Sequence, residues 1–144
     1  MNTYADTSFL VRLYLTQSDS TKAIRFMQNF SGALPYTPLH RHELRNALRL
    51  AVFRGEIDAA RRSAALEDVE SDLADGILVH VPVPWTTAFR EAERLGAAHT
   101  ETMGVRGVEL LHAGVALSLG GTQFLTFDLR QASLARAAGL KVMP

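Results

Sequence analysis

The sequence contains no cysteine and no excess of charge of either sign. Without thiolates the chain cannot build a disulfide scaffold, a cysteine-ligated zinc or iron–sulfur site, or a cysteine nucleophile. Fifteen basic residues balance fifteen acidic ones, so net charge does not indicate a nucleic-acid-binding protein and any basic surface must be local. With 47% hydrophobic residues over 144 positions, the composition is that of one globular domain.

Long hydrophobic runs and a basic leader are also missing. The most apolar stretch, residues 110–127, is interrupted by His112, Gln123 and glycines, which excludes a transmembrane span. The first residues carry no basic segment and reach an acid at Asp6, so a signal peptide is not expected. These absences predict a cytoplasmic protein that does not engage a membrane.

Short apolar strands alternate with amphipathic helices along the chain. The candidate strands are 4–6, 34–37, 77–83, 123–127 and 140–143. The candidate helices are 9–14, 19–30, 40–54, 58–75, 85–99, 108–119 and 131–138, with a loop at 100–107. Because no tight hairpin signal joins the strands, the alternation predicts parallel strands with crossover helices on both faces. We predict a single α/β domain over residues 1–144.

Two of the predicted strands end in an aspartate, Asp6 and Asp128, at the point where a helix begins. In open α/β sheets, ligands bind at the carboxyl ends of the strands. One such aspartate is usually a helix N-cap. Two at equivalent positions favour a functional pair over two unrelated caps.

Glu109 is the only charged residue between Arg106 and Asp128, on a helix apolar enough to be largely buried. A buried, unpaired carboxylate costs several kcal/mol, so it requires a cation or a proton. Two alternatives stay open from the residues alone. Glu109 forms an internal ion pair, with Arg106 as the obvious partner, or it contributes to a cation site.

Glu43 lies early in the predicted helix 40–54, whose Arg41, Arg45 and Arg49 recur every four residues and share one face. Glu43 either pairs with these arginines or joins the functional acids. The arginine row either binds along the phosphate backbone of a nucleic acid or forms a solvent-exposed face that pairs with the acidic residues of the next predicted helix.

Convergence of these four carboxylates would be unfavourable without a cation. Two close charges repel by about 4 kcal/mol at an effective dielectric constant of about 20. Oxygen ligands without cysteine favour Mg²⁺ or Mn²⁺. Such an ion lowers the pKa of a bound water and neutralises phosphate oxygens, which is the chemistry of phosphodiester hydrolysis.

Four segments in order resemble the signatures of PIN domains, in particular those of VapC-like toxins of bacterial toxin–antitoxin pairs. They are Tyr4-Ala5-Asp6-Thr7-Ser8-Phe9-Leu10, His42-Glu43-Leu44, Glu109-Leu110-Leu111-His112-Ala113 and Phe124-Leu125-Thr126-Phe127-Asp128-Leu129-Arg130-Gln131. The resemblance implies a three-layer α/β/α sandwich with a mainly parallel sheet. It also implies Mg²⁺- or Mn²⁺-dependent cleavage of RNA, a homodimer, and inhibition by a cognate antitoxin.

The resemblance also implies roles for individual residues. The catalytic and metal-binding acids would be Asp6, Glu43, Glu109 and Asp128. The assisting hydroxyls would be Ser8 and Thr126. For substrate phosphates we predict the arginines Arg41, Arg45, Arg106 and Arg130.

The sequence departs from the family at Glu109, where the family usually has aspartate. The additional methylene pushes the carboxylate further into a pocket suited to octahedral Mg²⁺. An alternative is therefore a catalytically degenerate PIN-like module that binds RNA or a protein. A phosphatase of similar α/β fold is a weaker alternative.

Overall fold

The computed structural model describes residues 2–144, which form seven helices and five short strands. The strands are β1 (Thr3–Ala5), β2 (Leu34–Tyr36), β3 (Leu78–His80), β4 (Gln123–Leu125) and β5 (Lys141–Met143). The helices are α1 (Thr7–Tyr14), α2 (Ser20–Gln28), α3 (Pro38–Phe53), α4 (Ala59–Ala74), α5 (Trp85–Met103), α6 (Gly107–Ser118) and α7 (Leu129–Ala137). Every strand pair in the described chain is parallel, so the predicted α/β class with parallel strands is confirmed.

The chain divides into two compact units. The terminal unit combines the residues up to Asp6 with Pro82–Pro144, and the central unit is Thr7–Val81. The prediction of one domain over residues 1–144 is not tested by this division and stays a prediction. Within residues 2–144, no helix is both long and apolar enough to cross a membrane.

The terminal unit is built around a parallel sheet of order β1-β4-β5. Tyr4 is in register with Phe124, and both side chains are buried in its core. The connection from β1 to β4 needs a crossover because parallel neighbours cannot be joined by a tight turn. Helices α5 and α6 pack closely, since Gly114 of α6 lies against the backbone of Ala88 and Ala92 in α5.

The central unit holds the parallel pair β2-β3 and the helices α1 to α4. Leu44 and Leu48 of α3 are fully buried, whereas its arginines lie on another face. The helix begins with a capping box, in which Thr37 accepts from the His40 backbone and the His40 ring accepts from the Thr37 N–H. These caps satisfy N–H groups that have no partner within the helix.

Several predicted boundaries differ from the structure, and three of the differences have a clear position in the sequence. Helix α5 runs through the expected loop 100–107 as far as Met103 and ends at Gly104, which has a φ of 64°. Residues 100–103 contain no helix breaker, and the first left-handed position falls at this glycine. The strand expected over 77–83 ends at His80, because Pro82 has no N–H for a ladder. Helix α2 ends at Gln28, before the expected stop at residues 31–32.

We expect Gly114→Ala to destabilise the protein by about 1–3 kcal/mol, the usual range for overpacking a core. An added Cβ would overlap the Ala88 carbonyl oxygen and lie 3.0 Å from the Ala92 nitrogen. Gly107→Ala, in the same helix, is the control: an added Cβ there meets nothing within 4 Å in the described chain. Urea unfolding should give Gly114→Ala a clearly lower free energy of unfolding than the parent and than Gly107→Ala. Equal stability of the two variants would contradict the close helix packing.

Candidate active site

Asp6 directly follows β1 and is positioned by the pairing of β1 with β4. Its backbone N–H donates to the Leu125 carbonyl oxygen at 3.1 Å, which extends the ladder by one residue. Its side chain is buried, and Oδ2 accepts a hydrogen bond of 2.5 Å from the Thr126 hydroxyl. A buried carboxylate is stabilised by such a donor.

Thr126 connects the two strand-end aspartates. While its hydroxyl donates to Asp6, its oxygen accepts from the backbone N–H of Asp128 at 3.0 Å. Asp128 itself caps α7, because its Oδ1 accepts from the Gln131 N–H at 2.9 Å. Asp128 is thus a helix cap and also part of a cluster with Asp6.

Glu109 is held by arginines. Its side chain is only 5% exposed, and its Oε1 accepts from Arg106 Nε at 3.1 Å and Nη2 at 2.9 Å. Its Oε2 accepts from the Arg106 backbone N–H at 2.7 Å, which makes a capping box at the start of α6. Arg130 Nη1 lies 3.8 Å from Oε1. The ion pair with Arg106, one of the two alternatives for this residue, is present.

The hydrogen bonds that Arg106 donates to Glu109 raise the pKa of the guanidinium above its ordinary value, and the charges of Glu109 and Asp128 act in the same direction. Arg106 therefore stays charged at any physiological pH.

Gln131 belongs to this cluster, although sequence reasoning missed it. Its buried side chain donates from Nε2 to the Glu109 carbonyl oxygen at 3.0 Å and so ties α7 to α6. A glutamine in the first turn of a helix is ordinarily exposed, and no pattern in the sequence marks this one as buried. Gln131 therefore joins the start of α6, which carries Glu109, to the start of α7, which Asp128 caps.

The remaining predicted residues lie in the central unit. Glu43 Oε1 accepts from the Thr7 hydroxyl at 2.7 Å. Ser8 lies in the first turn of α1, where its carbonyl oxygen accepts from Arg12 Nη1 at 2.7 Å. That Glu43 and Ser8 act together with the acids of the terminal unit stays a prediction.

The arginine row of α3 borders a shallow cleft of about 410 Å³. Its lining comprises Pro38, Arg41, His42, Arg45, Asn46 and Arg49. Arg41 and Arg45 approach Glu70 of α4 at 3.4 and 3.9 Å, as expected for pairing with the acidic run of the next helix. These pairs are partly exposed and hence weak, so a phosphate could compete with Glu70 for either arginine.

Two observations bear on metal binding. His112 is buried and its Nδ1 lies 2.7 Å from the Tyr4 hydroxyl, so it packs in the core of the terminal unit. Between residues 2 and 144, no three histidine, aspartate or glutamate side chains are grouped so that they could hold a metal ion. Asp6 and Asp128 offer the oxygen donors that Mg²⁺ and Mn²⁺ prefer, whereas both oxygens of Glu109 already bind Arg106.

Comparison with solved structures shows a common fold. VapC20 of Mycobacterium tuberculosis, described as a sarcin-ricin loop cleaving toxin, superposes with a TM-score of 0.70 at 17% identity, covering 99% of this chain and all of that one. VapBC-1 from nontypeable Haemophilus influenzae superposes with a TM-score of 0.62 at 15% identity, covering 99% of this chain and 97% of that one. VapBC-5 from M. tuberculosis, a member of the VapBC family of toxin–antitoxin systems, superposes with a TM-score of 0.58 at 24% identity. The superposition covers 99% of this chain and 97% of that one.

No protein-family model and no curated protein matches the sequence. The structural likeness covers nearly the whole chain, and it confirms the fold that the resemblance to VapC-like PIN domains implies.

We predict that Thr126→Val lowers the free energy of unfolding by about 1–3 kcal/mol, since it removes a buried hydroxyl that serves both Asp6 and the Asp128 N–H. Thr3→Val is the matched control, because Thr3 lies in the adjacent strand and makes one partly buried bond, to Gln123 at 3.0 Å. Its expected loss is about 0.5–1.5 kcal/mol. If thermal unfolding shows a smaller loss of stability for Thr126→Val than for Thr3→Val, the Thr126 hydroxyl does not hold Asp6 and Asp128 in place.

Proposed function

We propose that this protein is a divalent-metal-dependent endoribonuclease that acts as the toxin of a toxin–antitoxin pair. The observation that carries the proposal is the joining of Asp6 and Asp128 by Thr126, at the carboxyl ends of two paired parallel strands. The shared fold with VapC20, itself described as a sarcin-ricin loop cleaving toxin, supports it. Carboxylates at this edge of an α/β sheet are placed where ligands bind.

Asp6 and Asp128 are the residues that would hold the ion, either Mg²⁺ or Mn²⁺. Their donor chemistry fits, since hard cations take carboxylate oxygens and Asp128 uses only one oxygen for its cap. Glu109 does not fit as a direct ligand while Arg106 binds both of its oxygens. When bound, such an ion supplies charge neutralisation for phosphate oxygens and a water of lowered pKa.

The chain's own residues would do the positioning. The Thr126 hydroxyl orients the Asp6 carboxylate. Glu43, fixed by Thr7, is proposed to orient or deprotonate the attacking water, with Ser8 assisting. Arg130, with a side chain 47% exposed, and Arg106 would hold phosphates near the acids. Arg41 and Arg45 would hold the RNA backbone further along the substrate.

The biological setting is part of the same proposal. Neighbours of this fold include VapBC-1 and also VapBC-5, which is named as a member of the VapBC family of toxin–antitoxin systems. We infer a cognate antitoxin partner, a homodimer and a cytoplasmic location for this chain. An antitoxin reading frame beside the gene that restores growth on co-expression would support the pairing.

A second function is favoured by one observation. Arg106 engages both carboxylate oxygens of Glu109, as expected of a PIN-like module that has lost catalysis and only binds RNA or a protein. The two functions differ in metal binding. Calorimetric titration with Mn²⁺ should show saturable binding for the nuclease in the micromolar to millimolar range, and none for the degenerate module.

Asp6→Asn should lower cleavage of a structured RNA by about 100-fold or more, the scale for removing one electrostatic group from an active site. Thermal stability should stay equal or rise, because the amide keeps an acceptor for Thr126 while repulsion from Asp128 is relieved. Asp75→Asn, at the exposed end of α4, is the control and should cleave normally. Metal-dependent cleavage that survives in Asp6→Asn would refute the proposed site.

Arg45→Gln, made in the inactive Asp6→Asn background, should weaken RNA binding and lower the slope of log K against log salt by about 0.7, the value for one lost phosphate contact with a single strand. Arg25→Gln, which removes an exposed arginine from α2, is the matched control with an unchanged slope. Fluorescence anisotropy at several salt concentrations measures both. Identical slopes for the two variants would exclude the α3 cleft from RNA binding.

A further inference from the structure

We propose that the outward face of α3 binds single-stranded RNA, with phosphates on its arginines and one base stacked on Phe53. The inference rests on the proposed nuclease function and adds to it a residue that selects unpaired RNA. It follows from the positions of Arg45, Arg49 and Phe53, which recur every four residues and so form one ridge of α3.

This ridge lies on the side of α3 that faces away from the core. Leu44, Leu48 and Ala51 are the buried side of the helix. Because an α-helix turns by about 100° per residue, Phe53 lies opposite these residues, with Arg49 next to it on the outward side. Positions four residues apart are separated by about 6 Å along the helix axis. Phosphates of a stacked strand follow each other about every 3.4 Å, so a strand running along α3 passes each of these side chains.

The arginines of this face are suited to an anionic partner. Arg41, Arg45 and Arg49 line the shallow cleft on α3. Arg45 approaches Glu70 at 3.9 Å, which is a weak contact between partly exposed groups. Arg49 has no acidic partner within residues 2–144, and its Nη1 donates to the Arg45 carbonyl oxygen at 3.4 Å. A row of cations with weak acidic partners or none is complementary to a phosphate backbone.

Phe53 differs from the arginines in the part of a nucleotide that it suits. It is the last residue of α3 and is 86% exposed, so a large apolar area is left in water. Every nucleobase has a π face that can cover such a ring. The C-terminal end of a helix carries partial negative charge, which disfavours a phosphate there. The ridge therefore combines phosphate contacts with one stacking contact at its end, the combination by which single strands are bound.

Stacking on Phe53 distinguishes unpaired from paired RNA. In a duplex the bases are already stacked on each other, so an aromatic side chain reaches a base face only where the base is unpaired and splayed out. Phosphates are present on both forms, and the arginines bind either. Phe53 therefore raises the affinity for single strands and loops alone.

Fluorescence anisotropy with a short unstructured RNA tests the stacking, using Phe53→Ala in the inactive Asp6→Asn background. We expect the affinity to fall about fivefold or more, the scale for losing one stacked base. The slope of log K against log salt should stay unchanged, since no positive charge is removed. Duplex RNA should bind equally well with and without Phe53. The variant should keep the fold, because the ring is exposed and alanine favours helix.

Two further substitutions and a control separate stacking from simple apolar contact. Phe53→Trp should keep the affinity, because indole also offers a π face. Phe53→Leu should lose as much as Phe53→Ala, because leucine is apolar but has no such face. Phe89→Ala is the matched control with unchanged affinity, since it removes another exposed phenylalanine, from α5.

Equal affinity of the Asp6→Asn protein with and without Phe53→Ala for the unstructured RNA overturns the inference. So does an equal loss for duplex RNA, or full affinity in Phe53→Leu, because either result replaces stacking by another contact. Unchanged RNA affinity with a change from dimer to monomer in sedimentation assigns Phe53 to a contact between copies and also overturns it. Refuted stacking with cleavage still abolished by Asp6→Asn leaves the proposed nuclease standing. Absence of both RNA binding and RNA cleavage refutes both.

Discussion

The parallel pairing of β1 with β4 is the constraint on which the candidate site depends. These strands lie more than a hundred residues apart in the sequence, yet their register sets Ala5 opposite Leu125 and lets the Asp6 N–H continue the ladder. Thr126 directly follows the last residue of β4, and its hydroxyl donates to the Asp6 carboxylate. A shift of one residue would turn the side chains to the other face of the sheet and would separate the acid from its hydroxyl partner.

The second constraint is the handling of buried negative charge. Asp6 and Glu109 are both almost fully buried, and each is satisfied by donors from its own unit. For Asp6 the Thr126 hydroxyl is one such donor. For Glu109 the donors are the backbone and guanidinium of Arg106. The protein therefore folds with its acids neutralised or hydrogen-bonded, and binding of a cation would replace existing contacts rather than relieve an unpaired charge.

Local patterns predicted the parts of this site that depend on nearby residues. An apolar segment ending in aspartate before a helix predicted the positions of Asp6 and Asp128. The ion pair of Arg106 with Glu109 was one of the two alternatives that the sequence left open for this acid. Contacts between distant segments were not predictable in the same way. The bridging role of Thr126 depends on the register of two remote strands, and the burial of Gln131 depends on the packing of α7 against the start of α6.

The same contrast between local signals and tertiary contacts applies to the end of α5 and to the contacts of Glu43. The stop of α5 at Gly104 is a local signal, but two glycines in the segment 100–107 suggested a longer loop than the chain forms. For Glu43 the sequence left pairing with the arginines of α3 open, whereas its hydrogen bond with the Thr7 hydroxyl depends on how α1 and α3 pack. In both places several local signals compete, and tertiary contacts decide between them.

The central claim is that Asp6 and Asp128 share a divalent cation. The most direct measurement is diffraction from crystals soaked in Mn²⁺, recorded at the manganese absorption edge. The account predicts an anomalous peak bonded to carboxylate oxygens of both residues. A saturated crystal with no manganese at these two side chains, or with manganese bound only elsewhere, would contradict it.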